Sequence, residues 1–343
     1  MRVSLEWACD FVDLPPGVTA ADVARELTLK TVEVEDCIDV GAALAGVVCG
    51  EVVEVEPVGK HGYVVATCEV GAGDPVAVAT RARNLQTGRR VAVALPGAWL
   101  VAPGGGAPVE VAPAEVAGVA SAGVICTVAN LRLESLFPQS RGDGALHLGD
   151  FGATPGCPLS EVVGFNDFVL EIDNKSLTHR PDLWGHYGMA RELATIYGAE
   201  LKPLVRAARP PHVEGLVGDL DPDLCQRLSV VEFSLDTGES APLWLRSRLV
   251  RIGERSVDLC VDLSNYVTFT VGQPTHVYDA DRIDLPLSIS RNSAAGKLVV
   301  RRGFDLVESL SSSAHLVDDL VGGFVPDEGL GVVVPVLGPE LDG

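Results

Sequence analysis

The sequence predicts an α+β protein, with an OB-type β-barrel of Val-rich strands set between helical segments and a mixed α/β region after them. Three observations predict it. Short alternating apolar runs recur from Ala45 to about Val128, separated by Gly, Pro and Asn. Helical apolar periodicity precedes that span and returns after Leu183. At 343 residues the chain exceeds what one ordinary core needs, so two or three compact modules are expected.

Residues 1 to about 40 read as a helical cap. Thr19 precedes Asp22 at capping-box spacing, and Val23 and Leu27 mark a buried stripe too small to bury itself alone. The strand runs that follow are Val47 to Val55, Tyr63 to Val70, Pro75 to Ala79 and Val91 to Leu95. Five short strands over this span fit an OB-type barrel better than a sandwich, although composition alone does not separate the two. After a loop containing Pro138, Arg141-Gly142-Asp143-Gly144 and Pro155, a helix is predicted from about Leu183 to Tyr197, stopped by Gly198. Its predicted face is Leu183, Tyr187, Ala190, Ala194 and Tyr197. Arg180, Pro181 and Asp182 read as structural: Pro181 near the helix start, Asp182 as its cap, and Arg180 tying the helix to the barrel. Arg209-Pro210-Pro211 reads as a linker. Beyond it, strands mix with one helix that starts near Ser240 and Pro242, carries Leu245, Leu249 and Ile252 as its stripe, and is closed by Gly253.

Composition narrows the function. The formal charge of −21 counts against electrostatically driven binding to nucleic acid, so an RNA contact must be local or shared with a partner. The Met1-Arg2-Val3-Ser4-Leu5-Glu6-Trp7 start is no signal peptide, and no apolar stretch is long enough for a bilayer, so no membrane role and a cytoplasmic location are expected. The eight cysteines form no CxxC pair and read as buried thiols, with no metal site. Phosphate-loop, dinucleotide-binding, nucleophile-elbow and HExxH motifs are absent from the sequence. Gly104-Gly105-Gly106 reads as a turn, and His179 and His186 as packing or capping residues.

Val47-Val48-Cys49-Gly50-Glu51-Val52-Val53-Glu54-Val55-Glu56, then Ala82-Arg83-Asn84-Leu85-Gln86-Thr87-Gly88, then Val91 to Ala98 resemble the tRNA-binding barrel of bacterial phenylalanine–tRNA ligase beta subunits, with Gly118 to Cys126 as its last segment. Asp173 to Leu183, running into Gly188-Met189-Ala190-Arg191-Glu192-Leu193, is similar to that family's Asn-Arg-Pro-Asp signature and helix. Val261 to Val267, followed by Gly272-Gln273-Pro274-Thr275-His276-Val277-Tyr278-Asp279, resembles the family's editing-domain segment.

The resemblance implies a barrel (41–152) inserted in a discontinuous α/β domain (1–40 with 153–203), followed by a partial editing-type domain (212–343). It implies tRNA or aminoacyl-tRNA as a partner, an alpha-like subunit as another, and no DNA. Within it, His276 and Asp279 become the candidate catalytic residues, since an imidazole there could position a water near an aminoacyl ester. Arg81, Arg83, Asn84, Arg89 and Arg90 are the candidate tRNA-binding residues, with a solvated barrel edge as the other reading. ATP and magnesium belong to the family's reaction mainly through the alpha subunit, so no cofactor is expected in this chain, nor aminoacylation by the chain alone.

Departures from the family pattern fall in two places. The barrel's His-Pro loop is shortened to Gly59-Lys60-His61-Gly62, and Pro335-Val336-Leu337-Gly338-Pro339-Glu340 matches the glycine-rich editing motif only loosely, without the Glu-bearing strand after it. Two alternatives to a tRNA-ligase-like function stay open: an editing-type pocket reused for a free amino acid or other small molecule, and a non-catalytic binding or regulatory remnant.

Overall fold

The computed structural model describes residues 1–58, 62–71, 73–102, 105–140, 142, 144–204, 214–223, 225, 228–232, 234–235, 240–280, 285–291, 298–302, 305–308 and 330–331. The shortened loop at 59–61, Gly104, Arg141, Asp143, the Arg209-Pro210-Pro211 linker and the 335–340 motif lie outside them. In chain order the elements begin with β1 (Arg2–Ser4), α1 (Leu5–Ala8), α2 (Ala20–Lys30), β2 (Val34–Asp39), β3 (Val47–Val58), β4 (Tyr63–Glu69), β5 (Val76–Thr80) and β6 (Arg90–Ala94). Then come β7 (Trp99–Val101), β8 (Pro108–Glu110), β9 (Ala114–Val116), β10 (Val119–Ser121), β11 (Val124–Ile125), α3 (Leu159–Val162), β12 (Phe168–Ile172) and α4 (His186–Tyr197). The last are β13 (Val217–Leu220), β14 (Ser234–Leu235), α5 (Leu243–Arg251), α6 (Leu259–Val271), β15 (Leu287–Arg291), β16 (Leu298–Arg302), β17 (Asp305–Glu308) and β18 (Leu330–Gly331). The chain divides into two compact units. The first holds Met1–Trp7, Gly17–Asp173 and Pro242–Val257; the second holds Ala8–Pro16, Asn174–Ala241 and Asp258–Gly343.

At the centre of the first unit lies an antiparallel five-stranded sheet of order β11-β6-β3-β4-β5. It curls until it nearly closes: Ala122 N donates to Ala77 O at 2.9 Å, and Ala79 N to the Ser121 hydroxyl at 3.1 Å. A bulge between Val52 and Glu54 bends β3. The strand alternation that makes this span readable has a second consequence in β6. Val91 and Val93 enter the interior with Val52, Ala66, Cys68 and Val78, while Ala92 and Ala94 face a second cluster with Cys49, Leu136, Leu148 and Leu159. A strand buried on both faces needs small residues on one of them to admit a second layer, and the two alanines supply that. Two short hairpins, β7 with β8 and β9 with β10, were not anticipated; each strand is only three residues long and carries little periodicity.

A three-stranded antiparallel sheet of order β1-β12-β2 completes this unit, with Val3 opposite Leu170 and Leu170 opposite Cys37. Helix α2 packs against β2 with Val23 and Leu27 buried, and its Thr19–Asp22 capping box forms as the sequence predicts. Helix α5 starts after Pro242, buries Leu245 and Leu249, and ends before Gly253, also as predicted. It buries two residues the apolar stripe does not point to, Ser247 and Arg251. Arg251 donates to Asp167 at 3.0 Å and to Glu6 at 2.7 Å, while Asp167 also accepts from the Ser4 hydroxyl at 2.6 Å and from Glu6 N at 2.9 Å. Arg248 adds a second bond to Glu6 at 3.1 Å and lies near the rings of Trp7 and Trp244. Burial raises Asp167 above the usual carboxylate range despite Arg251; at Glu6, burial also pushes upward, but the hydrogen bond and charge of Arg251 outweigh it and hold the group low.

The second unit contains α4, α6 and a mixed sheet of order β13-β15-β16-β17, in which only β13 and β15 run parallel. Helix α4 starts three residues later than the sequence suggests. Pro181–Leu183 forms a separate 3-10 turn, and the extended Gly185 is the helix N-cap, so Asp182 is not the cap. The buried face shifts accordingly to His186, Met189, Ala190, Leu193 and Ala194, with Tyr187 and Tyr197 half-buried beside it. Arg180 pairs with Asp182 at 2.9 Å and with Glu192 on α4 at 2.7 Å, which ties the turn to the helix. Helix α6 was not anticipated, because Val267, Thr268, Thr270 and Val271 are β-branched and weak helix formers. Of the eight cysteines, Cys49, Cys68, Cys126 and Cys225 are buried and the other four are half-buried, so the expectation of buried thiols holds for half of them. Burial pushes Cys49 and Cys68 up to about 11 and Cys126 to about 12. Among the described residues no helix is long and apolar enough to cross a membrane, and no cluster of His, Cys, Asp or Glu could hold a metal.

Candidate functional site

Helix α6 and the loop after it set the position of His276. Asp258 caps the helix by accepting from Val261 N at 2.8 Å, and Gly272, at φ +74, closes it by donating its N–H to Thr268 O at 2.8 Å. Helix α4 rests on this C-terminal turn. A Cβ on Gly185 would stand 2.5 Å from Gly272 N, so only glycine allows the approach, and the buried His186 meets Phe269 O through Nδ1 at 2.7 Å.

Beyond Gly272 the chain turns back along α6. The Ser264 hydroxyl donates to Thr275 O at 2.8 Å and lies 2.8 Å from the Thr275 hydroxyl, and Thr275 N faces the Thr268 hydroxyl at 3.4 Å. His276 follows directly and is half-buried. Burial alone lowers its pKa from the ordinary value of 6.5, so the neutral imidazole is favoured. Its ring lies 6.3 Å from that of Tyr278, whose phenol burial pushes up. Asp279 is buried. The segment therefore presents a neutral imidazole on a fixed loop, which can accept a proton from a water or hold one in place. The Ser264, Thr268 and Thr275 hydroxyls escaped sequence reading, because nothing marks three hydroxyl residues as partners until α6 is known to be a helix with the chain folded back along it.

The basic cluster on the barrel divides. Arg81, Arg83 and Arg89 are exposed: Arg81 stacks 4.4 Å above the Tyr63 ring, Arg89 bonds Gln86 at 3.1 Å, and Arg83 has no partner among the described residues. Asn84 and Arg90 are used internally. The Asn84 amide pairs with both backbone groups of Ala145, at 3.0 and 2.8 Å, and Arg90 binds Ala153 O at 2.7 Å and Glu51 at 3.4 Å. Gly88 N donates to Val52 O and Val52 N to Arg89 O, so the loop carrying these residues is pinned at the β3 bulge.

Residues 231–309 match the B3/4 domain, and both α6 and the His276 loop lie inside that match. Over 294 residues the chain is 35% identical to the phenylalanine–tRNA ligase beta subunit of Anaeromyxobacter dehalogenans, covering 82% of this chain and 34% of that one. The beta subunit of Solibacter usitatus is 34% identical over 88% of this chain and 36% of its own length. That of Thermosynechococcus vestitus is 32% identical over 95% and 39%. The chain thus spans little more than a third of the length of the curated relatives it matches, and over that length it is related to the phenylalanine–tRNA ligase beta subunits, with a match to the B3/4 domain.

Proposed function

We infer that the chain binds tRNA or aminoacyl-tRNA and hydrolyses mischarged aminoacyl-tRNA at the His276 segment, without charging tRNA by itself. The observation that carries this reading is the half-buried neutral imidazole inside the B3/4 match, on a loop that hydrogen bonds fix to α6. Hydrolysis of an aminoacyl ester, which has an activated leaving group, asks of a site mainly that it place a water and supply donors to the developing oxyanion. In this reading Asp279 is the second candidate residue of the same segment. The nearly closed sheet serves as an OB-type barrel (41–152) inserted in a domain formed by 1–40 and 153–203, ahead of an editing-type domain (212–343). The chain works in the cytoplasm beside an alpha-like subunit, which the relatives' designation as beta subunits supports.

The test is a deacylation time course on tRNA(Phe) charged with tyrosine or phenylalanine, run beside His276→Ala. Hydrolysis is expected with the wild-type chain and a return to the uncatalysed rate with the variant; equal rates for both would remove His276 from the reaction. The pH profile follows from the sign of the shift. A lowered pKa keeps the imidazole neutral at lower pH than usual, so the rate should fall on acidification at a lower pH than an ordinary histidine would give.

The RNA interface belongs to the exposed arginines. Arg81→Ala, Arg83→Ala and Arg89→Ala together should weaken tRNA binding and lower its salt dependence by roughly three counterions, a slope change of about 0.7–0.9 for each phosphate no longer neutralised. Binding and slope that stay unchanged in the triple variant, measured in a filter assay across salt, would return these residues to a solvated barrel edge.

A further inference from the structure

Resting on the reading of His276 as the hydrolytic group, we propose that Thr275 is its positioning residue, and that the Ser264–Thr275 hydroxyl pair sets where the imidazole stands. Thr275 is buried, with 8% of its surface exposed, although it sits in a loop of Gly272, Gln273 and Pro274 that would otherwise have little to hold it. Hydrogen bonds to α6 hold it instead. Ser264 Oγ donates to the Thr275 carbonyl at 2.8 Å and lies 2.8 Å from Thr275 Oγ1, which in turn reaches Ser264 O at 3.3 Å, while Thr275 N meets Thr268 Oγ1 at 3.4 Å.

The Thr275 carbonyl and the His276 nitrogen share one planar peptide unit. Anchoring that carbonyl to Ser264 therefore fixes the plane from which His276 departs, and leaves its ring only its own torsions. The role is one of placement: neither hydroxyl touches the imidazole. A displacement of about 1 Å at a reacting group can cost on the order of a hundredfold in rate, so the clamp matters to the reaction as much as to the loop.

The position of the ring can be read without any reaction. Burial is the whole cause of the lowered His276 pKa, so the titration reports how deeply the ring sits. The titratable groups beside it on its own segment are Tyr278, whose ring lies 6.3 Å away, and Asp279. Neither is a cause of the shift.

The experiment titrates the histidines of the full chain by NMR after histidine-selective labelling, with His276→Ala assigning the resonance. It compares wild type, Thr275→Val, Thr275→Ser and Ser264→Ala, and follows deacylation in parallel. Ser264→Ala, which removes the donor to the Thr275 carbonyl, should move the His276 pKa up towards its ordinary value and cut kcat by about 10- to 100-fold with KM nearly unchanged. Thr275→Val, which keeps that carbonyl and loses only the hydroxyl partner of Ser264, should give a smaller shift of the same sign, and Thr275→Ser should stay near wild type. If Ser264→Ala does not fold, Thr275→Val carries the same test. A His276 titration that stays at the wild-type value in both Ser264→Ala and Thr275→Val overturns the proposal. A wild-type chain that hydrolyses nothing overturns the hydrolytic reading instead, and the titration still decides whether the clamp sets the ring.

Discussion

Arg251→Ala is expected to destabilise the first unit by about 3–5 kcal/mol, because it strips the partner from a buried carboxylate. Asp167 is 6% exposed and Arg251 7% exposed, so neither can turn to water when the other is removed. The Ser4 hydroxyl and the Glu6 amide would remain on Asp167, but they supply hydrogen bonds and not the compensating charge. Urea denaturation followed by tryptophan fluorescence measures the effect locally, since the Trp7 and Trp244 rings lie 5.7 and 5.9 Å from the Arg248 guanidinium in the same unit. The double replacement Arg251→Met with Asp167→Leu should recover much of the loss, because removing both charges also removes their desolvation cost. A single variant that loses less than about 1 kcal/mol would mean that water reaches Asp167 and that the pair is not truly buried.

Gly188→Ala should be nearly as damaging in the second unit, at about 3 kcal/mol or more. A Cβ on Gly188 would lie 1.8 Å from Asp182 O, a backbone atom that cannot swing aside. The Pro181–Leu183 turn would have to lift off α4, and with it the Arg180 bonds to Asp182 and Glu192. Gly198 is the control. It closes the same helix at φ +64 with open space where its Cβ would be, so Gly198→Ala should cost only about 1–2 kcal/mol, for the left-handed conformation alone. Thermal or chemical melts that rank Gly198→Ala as the worse of the two would show that the turn moves freely.

What the sequence made legible follows from how local the signal is. The strands of the barrel were readable to within a few residues because β3 to β6 are short Val-rich runs bounded by Gly, Pro and Asn, and that pattern needs no knowledge of the rest of the chain. The Thr19–Asp22 cap and the Gly253 stop were equally local. Helix α6 was not, because its β-branched residues argue against a helix and only tertiary packing overrides them. Asp182 could pass for a cap in sequence because it stands just before the helical pattern, but the close approach of α6 required Gly185 at that place instead. The candidate site shows the same division. His276 could be singled out from the motif around it, whereas Ser264 and Thr275, eleven residues apart, become partners only when the loop folds back on α6. The same holds for Arg251 and Glu6, which 245 residues separate.

Strand β12 carries a consequence for the order of synthesis. It is the middle strand of its sheet, flanked by β1 and β2 from the start of the chain, and the Met1 amino group bonds Ile172 O across 171 residues. At the roughly 5–20 residues per second of ribosomal elongation, the first strand waits on the order of ten to thirty seconds for its partner to be made. During that interval β1 and β2 have open edges and the Glu6 side chain has no arginine to meet, while the whole barrel from β3 to β11 has already emerged between them. The nascent β1–β2 segment is therefore the one a chaperone would find exposed, while the barrel sheet, whose strands are close in sequence, can pair before β12 is made.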